Sequence, residues 1–147
     1  MALDVDKMQS ELKRLIYDFD PNATTATDIG WVDMRDYFSI MVDFFRTVGT
    51  SALTLTILAN TASDGSGDEA TIATKTFTAG QPNALGDYVF LEALASQVGA
   101  AGDADGKDYR YVSANCTVAT GTDEGVVSYT LNPRFPREGL SADLIST

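Results

Sequence analysis

Asp36 to Asn60 reads DYFSIMVDFFRTVGTSALTLTILAN, and its two apolar runs decide the fold class. In the first run Phe38, Ile40, Val42 and Phe44 alternate with Ser39, Met41, Asp43 and Phe45. In the second, Leu53, Leu55 and Ile57 alternate with Thr54, Thr56 and Leu58. A period of two in β-branched and aromatic residues marks half-buried strands. The connection, Thr47-Val48-Gly49-Thr50-Ser51-Ala52, has turn chemistry, and the pair is predicted to form an antiparallel hairpin.

On the N-terminal side, Val5, Met8, Leu12, Leu15, Ile16 and Phe19 recur at spacings of three and four, which predicts a helix over Leu3 to Tyr17. Asp4 is its N-cap and Asp20-Pro21 its stop, so residues 3–20 form a helical arm. Such a helix either covers one end of the sheet or docks on a neighbouring subunit. Residues 21–29 are small and polar and read as a crossing. Gly30 to Met34 makes a short strand, with Trp31 expected as a core anchor rather than a stacking platform.

On the C-terminal side the pattern repeats. Thr61 to Glu69 is a Gly/Ser/Asp loop, and Thr71 to Phe77 is a polar, alternating strand suited to a sheet edge. Tyr88 to Leu91 is apolar at every position and is expected to be buried; Glu92 to Val98 either continues it or turns into a short helix. Residues 99–108, GAAGDADGKD, read as the most flexible loop. Tyr109 to Thr120 is a long strand, and Val126 to Leu131 is expected to return beside it through a hairpin loop at Gly121 to Gly125. From Asn132 onward two prolines and no strand-compatible run predict an extended arm over 132–147. The expectation is one domain over 1–147, mainly β: an antiparallel, jelly-roll-like β-sandwich or related barrel, with a short N-terminal helix and a C-terminal arm.

Charge narrows the function. Ten Lys and Arg stand against 21 Asp and Glu, a net charge of −11. An acidic surface repels phosphate backbones and anionic lipid, so no nucleic-acid or membrane partner is expected. No apolar run approaches the roughly 20 residues that cross a bilayer, and the N-terminus lacks the uncharged core of a secretory signal, so synthesis in a cytoplasm is expected. The chain has no histidine, hence neither the commonest general base nor the commonest metal ligand. Its single cysteine, Cys116, lies in an apolar strand pattern and reads as a small core residue.

Two acidic loops, Asp64/Asp68/Glu69 and Asp103/Asp105/Asp108, have the ligand type that calcium takes. The second breaks the EF-hand order, because Gly106 comes too early and Lys107 takes a ligand position. Solvated loops are the preferred reading, and no metal or cofactor is expected. The acids lack the flanking pattern of a glycosidase pair, and there is no nucleophile elbow or phosphate-cradling glycine loop. No catalytic residues, and no enzyme activity, are expected. Arg134, Phe135 and Arg137 concentrate positive charge in a tail on an acidic body. They read either as a strap on the protein's own acidic surface or, the preferred reading, as an arm that crosses onto a partner, with Leu140, Leu144 and Ile145 as further anchors and Leu12 and Ile16 as their counterparts in the N-terminal arm.

The order of segments resembles a family. A helix ending at Asp20-Pro21, then GWVDMRDY (30–37), LTLTILANTASDGSGDEATI (53–72), YVFLEALASQV (88–98) and YRYVSANCTVATG (109–121) are similar to small accessory proteins of tailed-bacteriophage virions. The resemblance implies a capsid decoration, or cement, protein: a β-sandwich on the capsid exterior, often a trimer, reinforcing contacts between subunits of the same phage's major capsid protein. It carries no catalytic residues over. A neck or tail component and a carbohydrate-binding module are the alternatives; the latter would rest on Trp31, Tyr88, Tyr109 and Tyr111.

Overall fold

The computed structural model describes residues 13–19, 25–26, 30–81 and 88–133, the first two segments as backbone. Among these, nine strands and one helix follow in the order β1 (Lys13–Phe19), β2 (Thr25–Ala26), β3 (Val32–Asp33), β4 (Tyr37–Val48), β5 (Leu53–Asn60), β6 (Glu69–Phe77), β7 (Tyr88–Leu94), α1 (Ala95–Asp105), β8 (Tyr111–Val118) and β9 (Glu124–Pro133). They build two antiparallel sheets. The first has the order β1-β9-β4-β7 and the second β2-β8-β5-β6, with β3 also on β8.

The core forms where alternating residues of the two sheets face each other. Ile40, Val42 and Phe44 of β4 and Val127, Tyr129 and Leu131 of β9 meet Leu53, Leu55 and Ile57 of β5 and Val112, Ala114, Cys116 and Val118 of β8. All are buried. Each large apolar side chain so removed from water contributes about 1.5–3 kcal/mol, which non-local packing must supply because strands of this length are not stable alone. The Tyr129 hydroxyl keeps a partner inside this core by donating to the Gly30 carbonyl. Burial pushes the Cys116 thiol up to about 12, and the residue is the small core member expected. It should not react with thiol reagents at pH 8 until the chain unfolds; prompt labelling of native protein would contradict its position.

Five expectations are corrected. The Asp36–Asn60 hairpin does not exist: β4 pairs with β7 and β9, whereas β5 pairs with β6 and β8. The connection carries the chain from one sheet to the other. The same holds for the expected hairpin at 121–125, because β8 and β9 lie in different sheets. One buried face per strand suits a partner across the core as well as one alongside, and a short turn permits both.

The expected helix over 3–20 is a strand where it is described. Lys13–Phe19 pairs antiparallel with β9, from Lys13 opposite Leu131 to Phe19 opposite Gly125. Residues 1–12 lie outside the described residues. Leu15, Tyr17 and Phe19 also alternate, and backbone pairing with β9 overrides the helical spacing. The expected flexible loop at 99–108 is largely α1. The Leu94 N–H donates to the Gln97 side chain at 2.7 Å, and Gly106 closes the helix at φ 65°, a conformation costly for a residue with Cβ. Lys107 N–H then bonds the Gly102 carbonyl at 3.0 Å. The arm expected from Asn132 loses its first two residues, since Asn132 and Pro133 belong to β9.

β6 is the edge strand expected of the second sheet. Among the described residues no helix is long and apolar enough to cross a membrane.

Candidate functional site

The outward face of β4 and β7 is where the molecule departs from an ordinary soluble surface. Ser39, Met41, Asp43 and Phe45 lie on the side of β4 opposite its buried Ile40, Val42 and Phe44. Register places Phe45 opposite Tyr88, Asp43 opposite Phe90 and Met41 opposite Glu92. Directly opposed side chains have Cβ atoms about 4.5–5.5 Å apart, so these residues form one surface. Tyr88 is 65% exposed, Phe90 54%, Val48 45% and Phe45 40%. The Tyr88 and Phe90 rings stand 6.4 Å apart, tilted by 33°. Phe38, 56% exposed at the irregularity between Tyr37 and Ser39, completes the set at the other end of β4. Among the described residues every exposed large apolar side chain is therefore on β4 or β7.

The ridge is bordered by carboxylates. Asp43 accepts a hydrogen bond of 2.8 Å from the Ser128 hydroxyl, Glu92 is exposed beside Met41, and Glu124 pairs with Val48. Arg46, the only cation in β4, β7 or β9, is buried. The face therefore presents aromatic surface in a negative frame. That arrangement can bind an apolar group that brings positive charge.

Two polar clusters are structural by their partners. At one end of the molecule the buried Arg46 guanidinium donates to Asp123, whose carboxylate also accepts from the Ser51 hydroxyl and, at 3.2 Å, from the Ser51 N–H. A second Arg46 nitrogen reaches the Ser51 carbonyl at 2.7 Å. Gly49, at φ 91°, sits so close that a Cβ there would collide with the Asp123 carboxylate. Elsewhere Asp33 is held between Arg110, at 2.6 Å, and Arg35, at 2.9 Å, beside an open cleft of about 320 Å³ floored by Met34 and Val98.

The Arg110 guanidinium, opposed by burial and supported by Arg35, keeps the Asp33 carboxyl well below the usual carboxylate range. A folded-state pKa lowered in this way stabilises above the unfolded value, about 3.9, and the contribution disappears as pH falls through the folded value. Between pH 2 and 6, urea midpoints should therefore fall more steeply on acidification for the natural chain than for Asp33→Asn. Equal slopes would show that the cluster is not coupled to folding.

Three of the six acids in the two acidic clusters have side-chain partners within the chain. Asp68 pairs with Lys107 at 2.7 Å, Asp105 accepts from the Tyr109 hydroxyl at 3.0 Å, and Asp64 accepts from the Ser66 hydroxyl at 2.6 Å. Among the described residues no group of three potential ligands is placed to hold a metal ion. Of the aromatics that a sugar-binding reading needs, Tyr88 is exposed, whereas Trp31, Tyr109 and Tyr111 are half-buried. Trp31 lies against the backbone of Gly65, and Tyr111 lies beneath the Arg110 guanidinium, 5.3 Å away.

Leu12, Arg134, Phe135, Arg137, Leu140, Leu144 and Ile145 lie outside the described residues, and Ile16 is in β1, at the register position opposite Ser128. Sequence reasoning missed Phe45, Val48, Tyr88 and Phe90. Tyr88 to Leu91 is a strand as expected, but its alternate positions are exposed rather than buried. The available signal was that apolar residues at consecutive positions, Phe44-Phe45 and Tyr88-Val89-Phe90, must put one of each neighbouring pair on the outer face of any sheet not covered on both sides.

No protein-family model matches the chain, and none of the curated proteins does. Among solved structures, the crystal structure of PirA aligns over 81% of this chain and 93% of its own, with 10% identity and a TM-score of 0.43. The SPBc2 prophage-derived protein YomS aligns over 82% of this chain and 95% of its own, with 9% identity and a TM-score of 0.38. A chain of the T13 infectious bursal disease virus particle covers 83% of this chain and 31% of its own, with 10% identity and a TM-score of 0.40. Likenesses of this degree decide neither lineage nor role.

Proposed function

We propose that this protein is a non-enzymatic structural component of a bacteriophage virion, bound to the outside of the capsid, where it stabilises contacts between major capsid protein subunits. The observation that carries the reading is the exposed ridge of Phe45, Val48, Tyr88 and Phe90 on a rigid sheet. Contiguous exposed aromatic surface on a folded protein marks an interaction site, and aromatic side chains are the usual anchors of protein interfaces. The strand orders β1-β9-β4-β7 and β2-β8-β5-β6 support reading the pair of sheets as a jelly-roll sandwich, an architecture that viral capsid and lectin domains share. Fold alone assigns no role, so the weight rests on the surface. A net charge of −11 favours the outside of a shell over contact with packaged nucleic acid. The lack of histidine supports adhesion over catalysis.

The test is co-sedimentation of purified protein with shells of its own phage, followed by densitometry of intact virions. A cement protein should pellet with shells and approach the major capsid protein in copy number. A handful of copies per particle would move it to the neck or tail, and failure to bind shells would end the reading.

A further inference from the structure

We propose that the Phe45–Val48–Tyr88–Phe90 ridge is the docking face for the Arg134–Arg137 segment of a second copy of this chain. The inference rests on the reading of that face as an assembly surface and names its occupant.

Chemical fit comes first. The ridge is aromatic and framed by Asp43, Glu92 and Glu124, with no exposed cation on β4, β7 or β9. Pressing two identical ridges together would bring like charges into one desolvated contact, which disfavours a symmetric face-to-face pair. The occupant must be apolar and positively charged. In a chain with only ten Lys and Arg, the four residues Arg134-Phe135-Pro136-Arg137 hold two of them around one aromatic ring. Phe135 supplies the apolar contact, and guanidinium groups can stack on Tyr88 or Phe90 while facing the carboxylates. Pro136 lacks an N–H and favours an extended backbone, so the segment suits lying across a side-chain surface better than extending a hydrogen-bonded ladder.

Reach then selects the copy. β9 ends at Pro133, opposite Tyr37, and the ridge begins at Phe90, opposite Asp43, six residues further along β4. At about 3.3 Å per strand residue that is about 20 Å. Four extended residues span at most about 14 Å, and Phe135 is only two residues past Pro133, so the Arg134–Arg137 backbone and the Phe135 ring fall short of the ridge of their own chain. A neighbouring molecule has no such restriction. The contact is tail to face rather than face to face, and successive copies close into a ring wherever the rotation between them permits.

Sedimentation velocity of four full-fold proteins tests this. The natural chain should be oligomeric. A chain ending at Pro133, which keeps every described strand, should be monomeric, as should Arg134→Glu/Arg137→Glu, which keeps the chain length. Tyr88→Ser/Phe90→Ser, altered only on the exposed face, should also be monomeric with its melting temperature within a few degrees of the natural chain's. Mixing the truncated protein, which has a ridge and no tail, with the Tyr88→Ser/Phe90→Ser protein, which has a tail and no ridge, should give a one-to-one complex that goes no further.

A monomeric natural chain, or any of the three variants keeping the natural mass, would overturn the proposal, as would failure of the mixed pair to associate. Shell binding is scored separately. Tail-dependent oligomers that ignore shells would leave this inference standing and remove the virion reading. Tail-independent protein that coats shells would do the reverse.

Discussion

Replacing Asp123 with alanine is expected to cost about 3–5 kcal/mol of folding stability, the range seen when one member of a buried ion pair is removed. Arg46 is fully buried and Asp123 nearly so. Without the carboxylate, the Arg46 guanidinium stays in the interior with the Ser51 carbonyl as its remaining partner, and its Nε already has none. Ser51 loses an acceptor for both its N–H and its hydroxyl. The damage falls where β4 passes to β5 and β8 passes to β9, two of the connections that carry the chain between sheets. Urea unfolding monitored by Trp31 fluorescence measures it. Joint replacement by apolar residues of similar size, Arg46→Met with Asp123→Leu, should recover most of the loss, because the penalty is an unpaired charge rather than a missing attraction. A single substitution that costs under about 1 kcal/mol would mean that the pair is hydrated, as surface pairs are.

Phe44→Ala and Phe45→Ala should give opposite results one residue apart. Phe44 is completely buried, and the Arg46 guanidinium lies 5.7 Å from its ring centre. Truncating it opens a cavity and should cost about 3–5 kcal/mol. Phe45 is 40% exposed and points away from the core, so its truncation should change stability by less than about 1 kcal/mol. On the proposed function the effects on assembly are reversed: Phe45→Ala weakens association, whereas Phe44→Ala acts through folding. Because Arg46 touches both Phe44 and Asp123, the double variant Phe44→Ala/Asp123→Ala should lose less than the two single losses added together. A large stability loss at Phe45 would place that side chain in the core and remove the ridge.

The ridge was only half legible in the sequence. Tyr88 to Leu91 announced a strand, yet four apolar residues in succession fit burial on both faces equally well, and only the uncovered outer face of the β4–β7 pair leaves Tyr88 and Phe90 in solvent. Residues 13–19 carried two periodicities at once, and pairing with β9 selected the strand. Residues 99–105 had glycine and aspartate enough for a loop and became helix with Val98 and Gly102 packed inward.

The sequence by itself determined the strands of β4, β5, β6, β8 and β9, the polar edge at β6 and the burial of Cys116. Each follows from alternation within a few neighbouring residues, which is local information. Only the tertiary structure decided which strands lie side by side, that Arg46 meets Asp123 across 77 positions, and which aromatic face remains uncovered. A strand's own residues specify that one side must leave water; what covers it, and what does not, is settled by segments far along the chain.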